Sequence, residues 1–197
     1  EPHAELQRDG LNVAFDLHLS FPDAVSGTSL AVPTIDGHAT ISGAQQVLAG
    51  QLEVHLKNLA FVELLSNEVA NVKGAVDGSF HLGGTLKQPA LTGEADVRGF
   101  AAEVPAAGLK LSEGQLTLNT TDARQFQIRG SVHSGKGSLA VDGSAGLGTG
   151  GQTRLTIKGS QFTAADIPAA SVVISPDLTV KQDASGIDIG GAVGIDR

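Results

Sequence analysis

Cysteine, methionine, tryptophan and tyrosine are all missing from this 197-residue chain. Without cysteine there is no disulfide, no thiolate metal site and no thiol nucleophile. With seven Phe as the whole aromatic complement, the stacking platforms of sugar clefts and single-stranded nucleic-acid grooves have no material to be built from. Basic residues are also scarce, 13 against 21 acidic, for a formal charge of −8. A nucleic-acid partner needs the opposite balance, so none is expected. No apolar run approaches the ~18 residues of a spanning helix. A transmembrane β-barrel needs aromatic girdles at both interfaces, and seven scattered Phe do not make them. The first residue is Glu1, without a charged and apolar leader or an initiator methionine, which reads as a processed protein or a piece of a longer one.

What is present is glycine, 26 residues of it, and a two-residue rhythm. Residues 72–99 (VKGAVDGSFHLGGTLKQPALTGEADVRG) show it best. Val76, Phe80 and Leu82, then Leu91, Ala95 and Val97, alternate with polar residues, as in a strand with one wet face. Gly83-Gly84 and Pro89 between them predict a turn, so the unit reads as an antiparallel hairpin. Leu11 to Phe21 is the clearest single strand, closed by Pro22-Asp23. Leu30-Ala31-Val32 before Pro33 reads as an edge or strand end. Residues 39–42 and the Leu52, Val54, Leu56 alternation follow. In residues 58–69 the spacing changes to three and four, which predicts one short helix with Asn58 as its cap. Pro105–Gly108 is a turn, and the change of parity between Leu111 and Leu116 places a bulge or turn at Glu113-Gly114. Strands follow at Phe126–Val132, Leu139–Val141 and Leu155–Ile157, with a flexible tip at residues 144–152 and a loop at 162–170. Val172 and Ile174, Leu178 and Val180 flank Pro176, and Ile187, Ile189 and Val193 end the series. About a dozen short strands with tight turns describe an antiparallel meander in one continuous unit, residues 1–197.

Two motifs mimic phosphate sites. Gly130-Ser-Val-His-Ser-Gly135-Lys136-Gly137 has the cadence of a P-loop, but glycine replaces the hydroxyl residue after the lysine and a strand follows instead of a helix. Gly146–Gly151 satisfies G-x-G-x-x-G, again followed by a strand, so it reads as a loop. The six histidines are scattered, His18, His55 and His81 on polar-face positions, and no metal or cofactor is expected. Asp16, Glu53, Asp77, Glu94 and Asp96 read as solubilising wet-face acids. No serine sits in a nucleophile elbow. The chain reads as non-enzymatic. A strand series with one apolar face and one helix to cover it must fold on itself, close into a barrel or leave a greasy groove.

Three stretches, in order, bear on that choice. Gly84-Thr85-Leu86-x-x-Pro89-x-Leu91-x-Gly93, Gly130–Leu139 and Ser175-Pro176-Asp177-Leu178 together resemble the C-terminal region of the TamB family, within the AsmA-like, bridge-like lipid-transfer group. The likeness is strongest over residues 70–195. It implies an all-β fold: a long curled antiparallel meander, or β-taco, with a hydrophobic concave groove, here with one short helix. It further implies a periplasmic segment of a protein anchored in the inner membrane of a Gram-negative bacterium. The family is associated with TamA, an outer-membrane barrel, with assembly of outer-membrane proteins including autotransporters, and with phospholipid movement between the two membranes. The family's N-terminal membrane helix and terminal TamA-docking segment are not recognised here, so contact with TamA is expected through the full-length protein. The in-phase residues expected to line the groove are Val76, Phe80, Leu82, Leu91, Val97, Leu116, Leu118, Phe126, Ile128, Leu139, Val141, Leu155 and Ile157. Acyl chains or unfolded outer-membrane β-strands are the expected occupants. The alternative is a structural β-sandwich module of an adhesin or surface protein, in which these residues fill a closed core; a β-helical polysaccharide enzyme ranks third.

Overall fold

The computed structural model describes residues 3–9, 12–20, 34–146 and 151–196. Thirteen strands account for most of them: β1 (His3–Asp9), β2 (Asn12–Ser20), β3 (Thr34–Ser42), β4 (Val47–Leu56), β5 (Ala70–Thr85), β6 (Gln88–Val104), β7 (Leu109–Asp122), β8 (Gln125–Ser134), β9 (Gly137–Gly146), β10 (Thr153–Ser160), β11 (Phe162–Ile167), β12 (Ala170–Asp183) and β13 (Gly186–Asp196). All belong to one open sheet. From β1 to β10 each strand pairs with the next, and every pairing is antiparallel. Beyond β10 the order is β12 and β11, with β13 on the other side of β12. One sheet, rather than the two packed layers of a sandwich, is the organising fact.

The register follows from the alternation. Leu56, Val76, Val97, Leu116, Gly130, Val141, Ile157, Leu178 and Gly191 are successive cross-strand partners from β4 to β13. A second row runs Val54, Gly78, Ala95, Leu118, Ile128, Gly143, Leu155, Val180 and Ile189. Residues between these rows face the other way, which makes one face apolar and the other polar throughout. Between β5 and β8 the sheet bends toward its apolar face, where the rings of Phe80 and Phe126 meet across two intervening strands. Register shifts at Ala70–Ala75 in β5, Val97–Ala102 in β6 and Ser112–Gln115 in β7 stand side by side, with Asn71 and Glu113 at φ 53° and 51°. Adjacent bulges bend three neighbouring strands at one level. The bulge expected at Glu113-Gly114 is the one on β7.

Several expectations are corrected. The helix over residues 58–69 is a 3₁₀ helix of five residues, Ala60–Leu64. The residue at its N-cap position is Leu59 rather than Asn58, which stands one residue before it and accepts from the Ala60 amide through Oδ1 at 2.9 Å, and Glu63 is drawn to the start of β5, where it accepts from the Val72 amide at 2.7 Å. That tie leaves no length for further turns, and Leu64 and Leu65 project outward. In the β5–β6 hairpin the turn is only Leu86-Lys87; Gly84 and Pro89 are paired strand residues. Pro89 is tolerated there because β6 first registers with β7 at Glu94, farther from the tip. The loop expected at 162–170 contains β11. Its Phe-Thr-Ala-Ala-Asp-Ile sequence has little alternation, and the strand forms by pairing with the first half of β12, across a bulge between Thr163 and Ala165. β12 itself runs unbroken through Pro176. The P-loop look-alike is the β8–β9 hairpin. The readings at Leu11, residues 21–33 and residues 147–150 lie outside the described residues.

Buried side chains are few. Among the described residues only Leu48, Leu56, Leu59, Val72, Ala95, Ala102 and Phe162 are buried hydrophobics. Leu56, Leu59, Val72 and Ala102 form the cluster that anchors the 3₁₀ helix, joined by Phe61, Val62 and Phe100. Among the described residues no helix is long and apolar enough to cross a membrane.

Candidate functional site: an apolar cavity on the curled sheet

β5 to β9 bend around a cavity of about 420 Å³, within the roughly 300–1,000 Å³ typical of small-ligand sites. Its walls include Val76, Val97, Leu116, Val132, Leu139 and Val141, with Phe100 and Leu111 at the bulged level and Leu59 from the 3₁₀ segment. Gly114 and Gly130 form part of the floor. A Cβ on Gly130 would stand 2.8 Å from Leu116 Cδ1, and one on Gly114 would stand 2.8 Å from Phe100 Cβ. The two glycines thus make space that their neighbours' side chains use. Among the described residues no charged side chain lines the cavity.

The end of the sheet beside this cavity is crossed by β11. β10 and β11 lie end to end along β12, and the chain turns between them at Gln161, φ 48°. β11 then passes over the ends of β7, β8 and β9, where buried Ser134 donates to the Thr163 carbonyl at 2.8 Å and Phe162 is buried.

All thirteen residues expected to line a groove lie on the apolar face. Five of them, Val76, Val97, Leu116, Leu139 and Val141, border the cavity. Leu118, Ile128 and Leu155 stand one row farther along, and Phe80 and Phe126 one row beyond that. Leu82 and Leu91 face each other near the hairpin tip, and Ile157 partners Val141. Leu59, Phe100, Leu111 and Val132 border the cavity without having been singled out. Val132 shares the parity of Ile128; Phe100 lies after the bulge of β6 and Leu111 before that of β7, so both are out of phase with the in-phase residues of their strands.

The opposite face is ionic and paired. His18 donates to Asp36, and His38 to Asp16 at 2.6 Å, a crossed arrangement between β2 and β3. On neighbouring strands His55 and Arg98 both reach Asp77, at 3.3 and 2.7 Å. Thr117 donates to Asp96 at 2.9 Å, Arg129 to Asp142 at 2.9 Å, and Lys158 lies 3.5 Å from Asp177. Hydrogen bonding from His18 holds the Asp36 carboxyl below the usual range, and hydrogen bonding from His55, then Arg98, does the same for Asp77. These are solvent-exposed cross-strand pairs of modest individual worth. Among the described residues no group of three or more His, Asp or Glu is arranged to hold a metal ion.

Residues 125–197 match the family model described as the TamB C-terminal domain. Over 196 residues the chain is 23% identical to the translocation and assembly module subunit TamB of Haemophilus influenzae, covering 98% of this chain and 14% of that protein. The likeness to the TamB C-terminal region read from the sequence is thereby borne out. Shorter stretches are similar to the chaperone protein DnaJ: 48% identity over 52 residues for Salinibacter ruber, 26% of this chain and 13% of that one, and 54% over 37 residues for Chlorobium limicola, 19% and 9%. The chain therefore spans only about one-seventh of the length of the first of these relatives. No solved structure gives a significant match.

Proposed function

We propose, from the likeness of residues 125–197 to the TamB C-terminal domain, that this chain is a non-enzymatic periplasmic segment of an envelope protein whose apolar face forms a groove for hydrophobic cargo. The segment forms one continuous unit, and the full-length protein works with TamA in outer-membrane protein assembly. Phospholipid acyl chains are the favoured cargo. The single observation carrying this reading is the contrast between a whole sheet face of apolar side chains and only seven buried hydrophobics among the described residues. An unsealed apolar face of that extent needs an occupant. Transfer would be passive: each methylene of an acyl chain gains about 0.8 kcal/mol on leaving water. Walls without specific polar contacts let the chain slide, so no one residue is indispensable.

A second mode on the same segment is pairing of a nascent outer-membrane strand with a free sheet edge by β-augmentation. Edge crosslinks to a substrate peptide would support it. For the lipid reading, a fluorescent-acyl phospholipid is titrated into the purified chain and into Leu139→Asp and Ile128→Asp. Leu139 borders the cavity and Ile128 lies one row away on the same face. The expected result is saturable loading by the parent and its loss in both folded variants. Unfolding of both variants would instead mean that the face is a sealed core.

A further inference from the structure

The cavity is bounded unequally on its two sides. Toward β5 the apolar face is filled: Leu56, Leu59, Val72 and Ala102 form the buried cluster there, and Ile35 and Val54 pack against it from β3 and β4. Leu59 belongs to that cluster and to the cavity wall at once. Toward β9 the face is unfilled. Its apolar row continues from Leu116 through Gly130 and Val141 to Ile157 and Leu178, yet among the described residues none of the buried hydrophobics stands on β7 to β10.

The filling comes from the connection between β4 and β5, residues 57–69, which turns back over the sheet instead of making a tight hairpin. It is two-sided. Leu59, Phe61, Val62 and Val69 pack inward with the cluster, while Leu64 and Leu65 are 75% and 78% exposed. Its attachment to the sheet includes Glu63, itself exposed, whose Oε1 accepts from the Val72 amide at 2.7 Å where the register shifts bend β5. Phe100 is drawn in beside it: a Cβ on Gly74 would stand 3.0 Å from Phe100 Cα, so glycine there admits the close approach of β6.

We propose that the β4–β5 connection is an end stop that makes the cavity blind at Leu59, so that an acyl chain enters tail-first from the β9 side and the site limits its length. Glu63 is the positioning residue that holds the stop against β5. This inference rests on the cargo reading and adds a direction and a length limit to it. From β5 to β9 the cavity runs across four strand spacings, about 19 Å. Methylenes within that run exchange water for apolar wall, and those beyond it stay outside with the headgroup, which has no charged partner in the cavity lining among the described residues.

The test uses the intact 197-residue chain and a series of lysophosphatidylcholines of increasing saturated chain length, below their micelle concentrations, competing with a fluorescent-acyl phospholipid. In the parent each added methylene is expected to tighten binding about fourfold until the tail reaches Leu59, after which the gain ceases. Leu59→Ala, which removes the wall, is expected to move that plateau to longer chains. Glu63→Ala, which loosens the stop without touching the wall, is expected to do the same, and Glu63→Gln, which keeps the carbonyl acceptor, is expected to restore the parent's plateau. A gain that continues through the longest chains in the parent overturns the proposal and means that the groove runs through. So does a plateau that neither Leu59→Ala nor Glu63→Ala moves. Failure of every chain length to compete is a different result: it removes the cargo reading itself, and the end stop with it.

Discussion

Phe80 on β5 and Phe126 on β8 meet edge to face, ring centroids 6.2 Å apart and planes at 66°, although β6 and β7 lie between them. Three strand spacings in a flat sheet amount to about 14 Å. The rings close that distance because the sheet bends toward the apolar face and because Gly93, opposite Phe80, leaves the intervening position empty. Phe80→Ala and Phe126→Ala should each cost about 1–2 kcal/mol, less than a fully buried Phe. The double variant should show a coupling of about 0.5–1.5 kcal/mol in urea unfolding. Strict additivity would mean that the rings do not support each other and that the curl does not depend on them.

Gly93 has φ +147°, and a Cβ there would stand 2.1 Å from the Ser79 carbonyl oxygen and 2.7 Å from Phe80 Cα. Gly83, in the same hairpin, has nothing within 4 Å of a built Cβ. Gly93→Ala should therefore destabilise by about 1–3 kcal/mol, while Gly83→Ala should be neutral or slightly stabilising by limiting the unfolded chain. Comparison of their denaturation midpoints checks both. Equal effects would remove Gly93 from its place in the bend.

Acid should weaken the polar face. Asp36 and Asp77 titrate below their ordinary values in the folded chain, through His18 for the first and through His55, then Arg98, for the second. A depressed folded pKa contributes stability above the unfolded value and loses it as pH falls through the folded one. Their contribution should hold from neutrality down to about pH 4 and disappear below. Asp77→Asn should lower the melting temperature slightly at pH 7 and make the acid limb shallower. An acid limb unchanged in a D36N/D77N variant would assign that limb to other carboxylates.

The sheet was legible because alternation maps directly onto a two-faced strand. The thirteen in-phase residues share a face for that reason, and the Glu113-Gly114 parity break became a bulge. What escaped was set by tertiary pairing. β11 has no alternation of its own and is a strand only because β12 offers it an edge. Residues 58–69 carry a helical period, yet the Glu63 tie to the Val72 amide stops the helix after five residues. Phe100 and Leu111 border the cavity because bulges change the phase of their strands, and no period count follows a residue through a bulge. The Phe80–Phe126 contact was illegible because it depends on curvature between strands three apart.

The most direct measurement is native mass spectrometry, with lipid extraction, on the chain purified from a bacterial periplasm without harsh detergent. An occupied groove predicts mass adducts of whole phospholipids that disappear when Ile128 or Leu139 is replaced by aspartate while the fold persists. A folded, lipid-free protein that also refuses added phospholipid would contradict it and leave strand pairing or a structural module as the role of this sheet.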